Sequence, residues 1–269
     1  MSRKKKVDSK HLFHAICNLN VIPVFSKPVD DAIMVSQMLF GETCHIVEKK
    51  NKHWFKIQTT TCNIIGWVRS IQIQLTDENT YTKLSTNPAI ALEICHPLFN
   101  DDISKSIVIG SSLPCYDGIS CQMPEAKYIY NGQAALYDGL ETSQEILIKI
   151  ARRYLYSPEL PGGRSPFGID SGAFIQHVFR FFGIILPRFP NEQYLYGEIV
   201  DFTDLAVEGD LAFCADTENQ INHVGIVIGD KKVLHVHGCV RIDKIDHHGF
   251  YNYELQKYTH KLRIIKRLL

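Results

Sequence analysis

Residues 162–174 run Gly-Gly-Arg-Ser-Pro-Phe-Gly-Ile-Asp-Ser-Gly-Ala-Phe, a glycine-rich loop set directly before an apolar helix. The loop carries little side-chain bulk, so a bound chain could approach its backbone closely. A helix starting at Ser171 would turn free N–H groups and a partial positive charge toward that loop. Such an end stabilises a nucleophile or an anion. The same stretch also fits an ordinary loop-to-helix junction.

The chain of 269 residues predicts two or three domains. Its hydrophobic content of 45% is enough for well-formed cores. Lys plus Arg and Asp plus Glu both number 29, so no net charge favours bulk binding of nucleic acid. The basic run at residues 3–6 reads as part of a solvated, disordered tail over residues 1–14. No apolar run reaches the ~20 residues of a membrane helix, and residues 11–20 are too polar for a signal-peptide core. The expectation is a cytoplasmic chain as given, or a periplasmic or exported one if a leader was removed. None of the 8 cysteines forms a Cys-x-x-Cys pair, which argues for buried, reduced thiols over a zinc ribbon or redox site.

Short strands with turns between them fill residues 15–76. They are residues 21–25, 38–42, 45–48, 54–57 and 66–68, with a polar turn at 49–52. Close-spaced short strands predict a small barrel. Met34-Val35-Ser36-Gln37-Met38-Leu39-Phe40-Gly41-Glu42, then Trp54, then Gly66-Trp67-Val68, resemble a bacterial SH3-like domain. Residues 75–81 read as a polar linker. Strand-like runs at 90–95, 107–109 and 113–116 suggest a second, divergent barrel over 77–135.

The third domain spans 140–269. Thr142-Ser143-Gln144-Glu145 fits a capping box, and Ile146, Leu147, Ile150, Ala151 and Tyr154 share one helical face. Phe174, Ile175, Val178, Phe179 and Phe182 form the face of a second helix, which Gly183 would stop. Strands follow at 210–214, 223–228, 233–236, 240–242 and 263–265, giving an α+β domain. His223 and His235 fall on neighbouring strands joined by a tight turn and could face Ser171 side by side. A nucleophile at a helix start, an imidazole base and an orienting group are the layout of covalent hydrolases. In a chain with 12 histidines, packing alone is the competing account.

Further residues supply the context. Residues 162–170, Phe174, Gly183-Ile184, Leu186-Pro187-Arg188, Gly209-Asp210-Leu211, residues 222–226 and Leu234-His235 occur in this order. Together they resemble the NlpC/P60 cell-wall peptidases. The resemblance implies a papain-like α+β domain preceded by one or two small SH3-like β-barrels. It also implies kinship with the subgroup that cuts γ-D-glutamyl–diamino acid bonds in muropeptides. That subgroup holds the free amino end of the peptide between barrel and catalytic domain. On this resemblance His223 matches the base, His235 the orienting residue and Ser171 the nucleophile, which in the family is a cysteine.

The departures cluster at that site. A hydroxyl is far less acidic than a thiol and needs its proton removed during attack. Oxygen is also smaller than sulfur, and a misplacement of about 1 Å can cost around a hundredfold. The family's Tyr and Trp before Gly-Gly are Glu159 and Pro161, and the serine after the nucleophile is Gly172. Acidic positions are Phe189 and Ile33, and a tyrosine position is Ile64. Of the implied amine anchors only Asp170 remains. Ile33, Ile64, Phe189 and Pro161 could line a dry pocket for an apolar ligand or a protein, or the cleft could be filled in.

The expectation is a peptidase homologue impaired in catalysis that binds a muropeptide, another small peptide or a protein partner at the interdomain cleft. The alternative is an active hydrolase using Ser171, His223 and His235 on an altered peptide. No cofactor or metal is expected. His235 and His237 alternate on one strand and could join a zinc site, but His235 already has a role in the resemblance. A thiol from Cys214 or Cys239 beside His223 would restore cysteine chemistry.

Overall fold

The computed structural model describes residues 13–136, 140–141 and 143–269. The first unit is an antiparallel sheet of seven strands. Their order is Met34–Leu39, Val21–Phe25, Ile65–Arg69, Trp54–Thr59, Thr43–Lys50, Phe13–Ile16 and Gln74–Thr76. Period-two alternation sends Ile22 and Val24 inward beside Met38, Ile46, Ile57 and Val68. Three details differ from the sequence reading. The strand begins at Phe13, inside the expected tail. The second hairpin strand ends at Leu39, and Phe40–Glu42 form the turn after it. Lys49 and Lys50 remain in the strand, and the reversal falls at Asn51, whose φ of 55° suits the left-handed region.

Of the expected linker, Leu75 and Thr76 finish the strand Gln74–Thr76, and Glu78 begins helix α1 (Glu78–Ser85). Asp77 caps it by accepting the Thr80 N–H at 3.0 Å. Only Leu84 of this helix is buried, so no apolar period marks it in sequence. Residues 89–135 then form two small sheets. One orders Ser104–Val108, Cys95–Phe99, Lys127–Ile129 and Ser120–Gln122, and the other Ser112–Leu113, Ala89–Ala91 and Ala134–Ala135. Their core of Leu98, Ile107, Leu113, Met123, Tyr128 and Tyr130 also takes in Ile16 and Phe40 from the first unit. The second core therefore recruits side chains from the first unit.

Helix α2 (Gln144–Arg152) is capped by Ser143, which accepts the Ile146 N–H. The expected cap, Thr142, lies outside the described residues. Helix α3 (Ser171–Arg180) is buried along its whole length and ends at Gly183, with φ of 73°. The Ile184 N–H returns to the Phe179 carbonyl, a Schellman closure. A short helix α4 (Pro190–Gln193) follows.

The last sheet orders Glu198–Val200, Lys257–Arg267, Leu211–Ala215, Ile221–Val227, Lys232–His237, Cys239–Asp246 and Gly249–Asn252. Gly249–Asn252 pairs back onto Lys257–Arg267, so six strands close a barrel. Leu211, Phe213, Val224, Ile226, Leu234 and Val236 face outward onto α2 and α3. Ala212, Cys214, Val227, Val233, Ile245 and Phe250 fill the barrel. The C-terminal barrel therefore packs on α2 and α3 through one wall. Among the described residues, no helix is long and apolar enough to cross a membrane.

Candidate functional site

Strand parity places the histidines. Val224 and Ile226 face the helices, so His223 takes the inward set, as does His235 between the outward Leu234 and Val236. Gly225 makes this possible: a Cβ there would stand 2.9 Å from the His235 Cβ and 2.6 Å from Val233 Cγ2. The expected side-by-side arrangement holds, since His223 Nε2 and His235 Nδ1 are 3.0 Å apart. Their rings, however, lie on the inner barrel face, with Phe250 beneath both. Helix α3 packs against the outer face.

Residues that the sequence reading missed complete the arrangement. His235 Nε2 lies 3.2 Å from Asp243 Oδ2, and Asp243 also accepts from Arg241 Nε at 3.1 Å and Asn252 Nδ2 at 3.1 Å. Burial pushes the Asp243 carboxyl up, but His235 and Arg241 outweigh it and hold the group below its usual range. An ionised Asp243 only accepts, so His235 must carry its proton on Nε2. Its Nδ1 is then an acceptor, and His223 must donate to it from Nε2. The remaining lone pair on His223 Nδ1 makes no hydrogen bond among the described residues. This tautomer is the one a general base requires. Burial, followed by the nearby His260, His235 and His237, drives the His223 pKa well below 6.5. Burial also lowers His235 despite Asp243. His260, whose ring stacks on His223 with centroids 3.8 Å apart, is brought down to about 3 by burial, His235 and His237. All three are neutral imidazoles at neutral pH.

Ser171 is the first residue of α3 and is 7% exposed. Its hydroxyl makes no hydrogen bond among the described residues, to His223 or to any other group. Cys214 stands cross-strand from His223, but neither it nor Cys239 bonds to that ring, and burial pushes the Cys214 thiol far up. No other thiol has taken the nucleophile's place.

Asp170 caps α3 and is fully engaged. Its Oδ1 accepts from Ala173 N at 2.9 Å and Arg188 Nη1 at 2.7 Å. Its Oδ2 accepts from Gly162 N at 2.9 Å and Arg188 Nη2 at 2.5 Å. A carboxylate offers about four lone-pair sites, and all are occupied. Gly172 is buried, and a Cβ there would meet the Arg188 carbonyl oxygen at 2.5 Å, so this position is packing and not cleft lining. Glu159 binds the turn after His237, its Oε2 accepting the Gly238 N–H at 2.7 Å.

The apolar replacements do not gather into one pocket. Ile33 is 75% exposed, Phe189 is 37% exposed under the Arg188 guanidinium, and Pro161 is exposed on its loop. Ile64 belongs to the barrel core and lines a cavity of about 470 Å³ with Ile185, Pro187, Leu195 and Tyr196. That cavity contains neither Ser171 nor His223.

The SH3-like and C-terminal units are locked by a buried charge cluster. Glu42 takes Arg164 through bonds of 2.9 and 3.0 Å and lies 3.4 Å from Arg180. Arg180 also donates to the Gly110 carbonyl and Ser112 Oγ, and Arg164 to the Gln37 carbonyl, so all three units meet here. Burial raises the Glu42 carboxyl, yet Arg164 and Arg180 hold it below 4.5.

A glycine-loop helix packed on a closed six-stranded barrel, with paired inward histidines and an SH3-like unit ahead of it, defines a papain-like peptidase-type domain architecture. The NlpC/P60 family profile matches residues 154–260, and that of the bacterial dipeptidyl-peptidase SH3 domain matches residues 24–73. Residues 154–260 thus form an NlpC/P60 family domain, preceded by an N-terminal bacterial SH3 domain. A γ-D-glutamyl-L-lysine dipeptidyl-peptidase of Bacillus subtilis is 25% identical over 224 residues, covering 76% of this chain and 73% of that protein. One from Bacillus cereus is 27% identical over 226 residues, covering 74% and 66%. An NlpC/P60 family protein of Bacillus cereus superposes with a TM-score of 0.81 at 18% identity, over 95% of this chain and 99% of that one. An NlpC/P60 endopeptidase of Photobacterium damselae gives 0.67 at 17% identity, over 96% and 66%.

Proposed function

We propose that this chain is an NlpC/P60 homologue that binds a cell-wall-type or other small peptide without turning it over rapidly. The observation that carries this reading is the filled shell of Asp170. An ammonium brought to that carboxylate would have to displace Arg188 or a helix-capping N–H. Losing the charged partner of a buried ammonium costs about 2–5 kcal/mol. The ligand that fits is therefore one not gripped by a free amino end. Ser171 points the same way, because its hydroxyl has no base hydrogen-bonded to it.

A second reading is favoured by one specific feature, the Asp243–His235–His223 chain. It prepares His223 Nδ1 as a base, and an active hydrolase would need Ser171 Oγ brought to it. Apo geometry is often looser than the reactive complex.

The two readings separate in one experiment. The purified chain is titrated with L-Ala-γ-D-Glu-L-Lys and its N-acetylated form by calorimetry, while products are followed by chromatography. The binding reading expects the acetylated peptide to bind at least as well, with no Ser171-dependent product. Rapid cleavage abolished by Ser171→Ala would overturn it and establish the hydrolase.

A further inference from the structure

We propose that the mouth of the C-terminal barrel is a binding site for a divalent transition-metal ion of the zinc class, with His223, His235 and His260 as ligands. One ring nitrogen from each lies within 4.8 Å of the others. The three residues sit on three different strands of a closed barrel, Ile221–Val227, Lys232–His237 and Lys257–Arg267, so their backbones are fixed relative to one another. Zinc–nitrogen bonds of about 2.0–2.1 Å in tetrahedral array place ligand nitrogens roughly 3.4 Å apart. Forming the site requires ring rotations that take His260 out of its stack on His223.

The surroundings resemble a metal site in three further ways. His235 is backed through Nε2 by Asp243, which Arg241 and Asn252 brace in turn. A carboxylate behind a ligating imidazole fixes the ring and raises its basicity. Three imidazoles leave the fourth tetrahedral position open, and the His237 ring, centred 5.2 Å from that of His260, stands nearby. On the solvent side, His260 lines a surface cavity of about 1000 Å³ that also takes in Asp216, Asn222, His247 and His248. Imidazole donors select zinc, copper, nickel or cobalt, whereas calcium and magnesium demand oxygen.

Coordination through His235 Nδ1 and His223 Nε2 breaks the hydrogen bond between those atoms. The proton on His223 Nε2 moves to Nδ1, so none is released. A metal-loaded His223 therefore presents N–H where the metal-free ring presents a lone pair. The consequence that metal would silence a base at this position rests on the functional reading above; the binding site itself does not.

The test uses the full chain stripped of metal. Calorimetry should find one equivalent of bound Zn²⁺, and Co²⁺ should give the intense visible absorption of a tetrahedral site. His260→Ala should weaken Zn²⁺ binding at least tenfold, while the His247→Ala/His248→Ala pair changes it less than threefold. In case His260→Ala misfolds, side-chain nitrogen NMR of the unmutated chain should show Zn²⁺ shifting His223, His235 and His260 and sparing His14 and His45. Absence of stoichiometric binding, unchanged affinity in a folded His260→Ala, loss confined to the His247/His248 variant, or shifts at other histidines would each overturn the site.

Discussion

Arg188 grips Asp170 through two parallel hydrogen bonds, Nη1 to Oδ1 at 2.7 Å and Nη2 to Oδ2 at 2.5 Å. Fork-to-fork pairing of this kind is the strong form of a charge-assisted contact. The Arg188 side chain is wholly buried, while that of Asp170 keeps partial access to solvent. One carboxylate thus caps α3, ties down Gly162 in the glycine loop and neutralises a buried guanidinium.

Asp170→Asn should therefore destabilise the fold. It strips charge from a helix cap and leaves Arg188 buried without a counter-ion. Breaking a buried pair from one side costs about 3–5 kcal/mol, and the exposure of Asp170 sets the expectation at the lower end. Urea unfolding of the two proteins measures it. A loss below about 1 kcal/mol would mean that the pair behaves as a surface contact.

Ser171→Cys should gain a reactive thiol but little peptidase activity. The N-terminus of α3 favours a thiolate, so the new thiol should titrate below the ordinary ~8.5. Alkylation rate against pH reads that directly. Hydrolysis of L-Ala-γ-D-Glu-L-Lys should remain slow, because the Asp170 shell stays filled. Vigorous turnover by the cysteine variant would show that oxygen alone had disabled the site.

How far the site was legible depended on sequence distance. His223 and His235 were readable because a tight turn joins their strands and alternation fixes their face. Asp243 was not, although it carried a signal: an acid opposite Val233 at an inward strand position. The link between Glu42 and Arg164 was invisible for a different reason. Both belong to recognised motifs, but 122 residues separate them, and only folding brings the motifs together. Helix α1 escaped because a polar eight-residue helix with one buried side chain has no period to detect. Gly172 shows the converse. Its family position suggested a lost contact to substrate, while its surroundings leave no room for a Cβ.

Glu42 should govern how the protein responds to acid. Its folded pKa lies below the unfolded value, so the ionised form contributes stability that is fully present above about pH 4.5 and lost as pH falls through the lower folded value. Glu42→Gln should cost about 3–5 kcal/mol at pH 7, since Arg164 and Arg180 lose their shared counter-ion. It should also flatten the fall in stability below pH 4.5. Denaturant midpoints from pH 7 to pH 3 compare the two chains. Parallel curves would remove Glu42 from the acid response.

Asp243 makes a sharper prediction, because it fixes proton positions two rings away. With its carboxylate accepting, His235 is held as the Nε2–H form and His223 must follow as Nε2–H. Asp243→Ala deletes the acceptor that distinguishes the two nitrogens of His235. Its proton can then settle on Nδ1, and the bond to His223 reverses, with His223 Nε2 accepting and its Nδ1 protonated. Long-range ¹⁵N–¹H spectra of the imidazoles separate these tautomers. The wild type should give a single Nε2–H form at both residues, and the variant a mixture or the reversed pair. Loss of packing alone would shift the resonances without exchanging the protonated nitrogen, so the tautomer, rather than the melting temperature, is the readout. Unchanged tautomers in a folded Asp243→Ala would mean that the barrel interior, and not the carboxylate, orients His223.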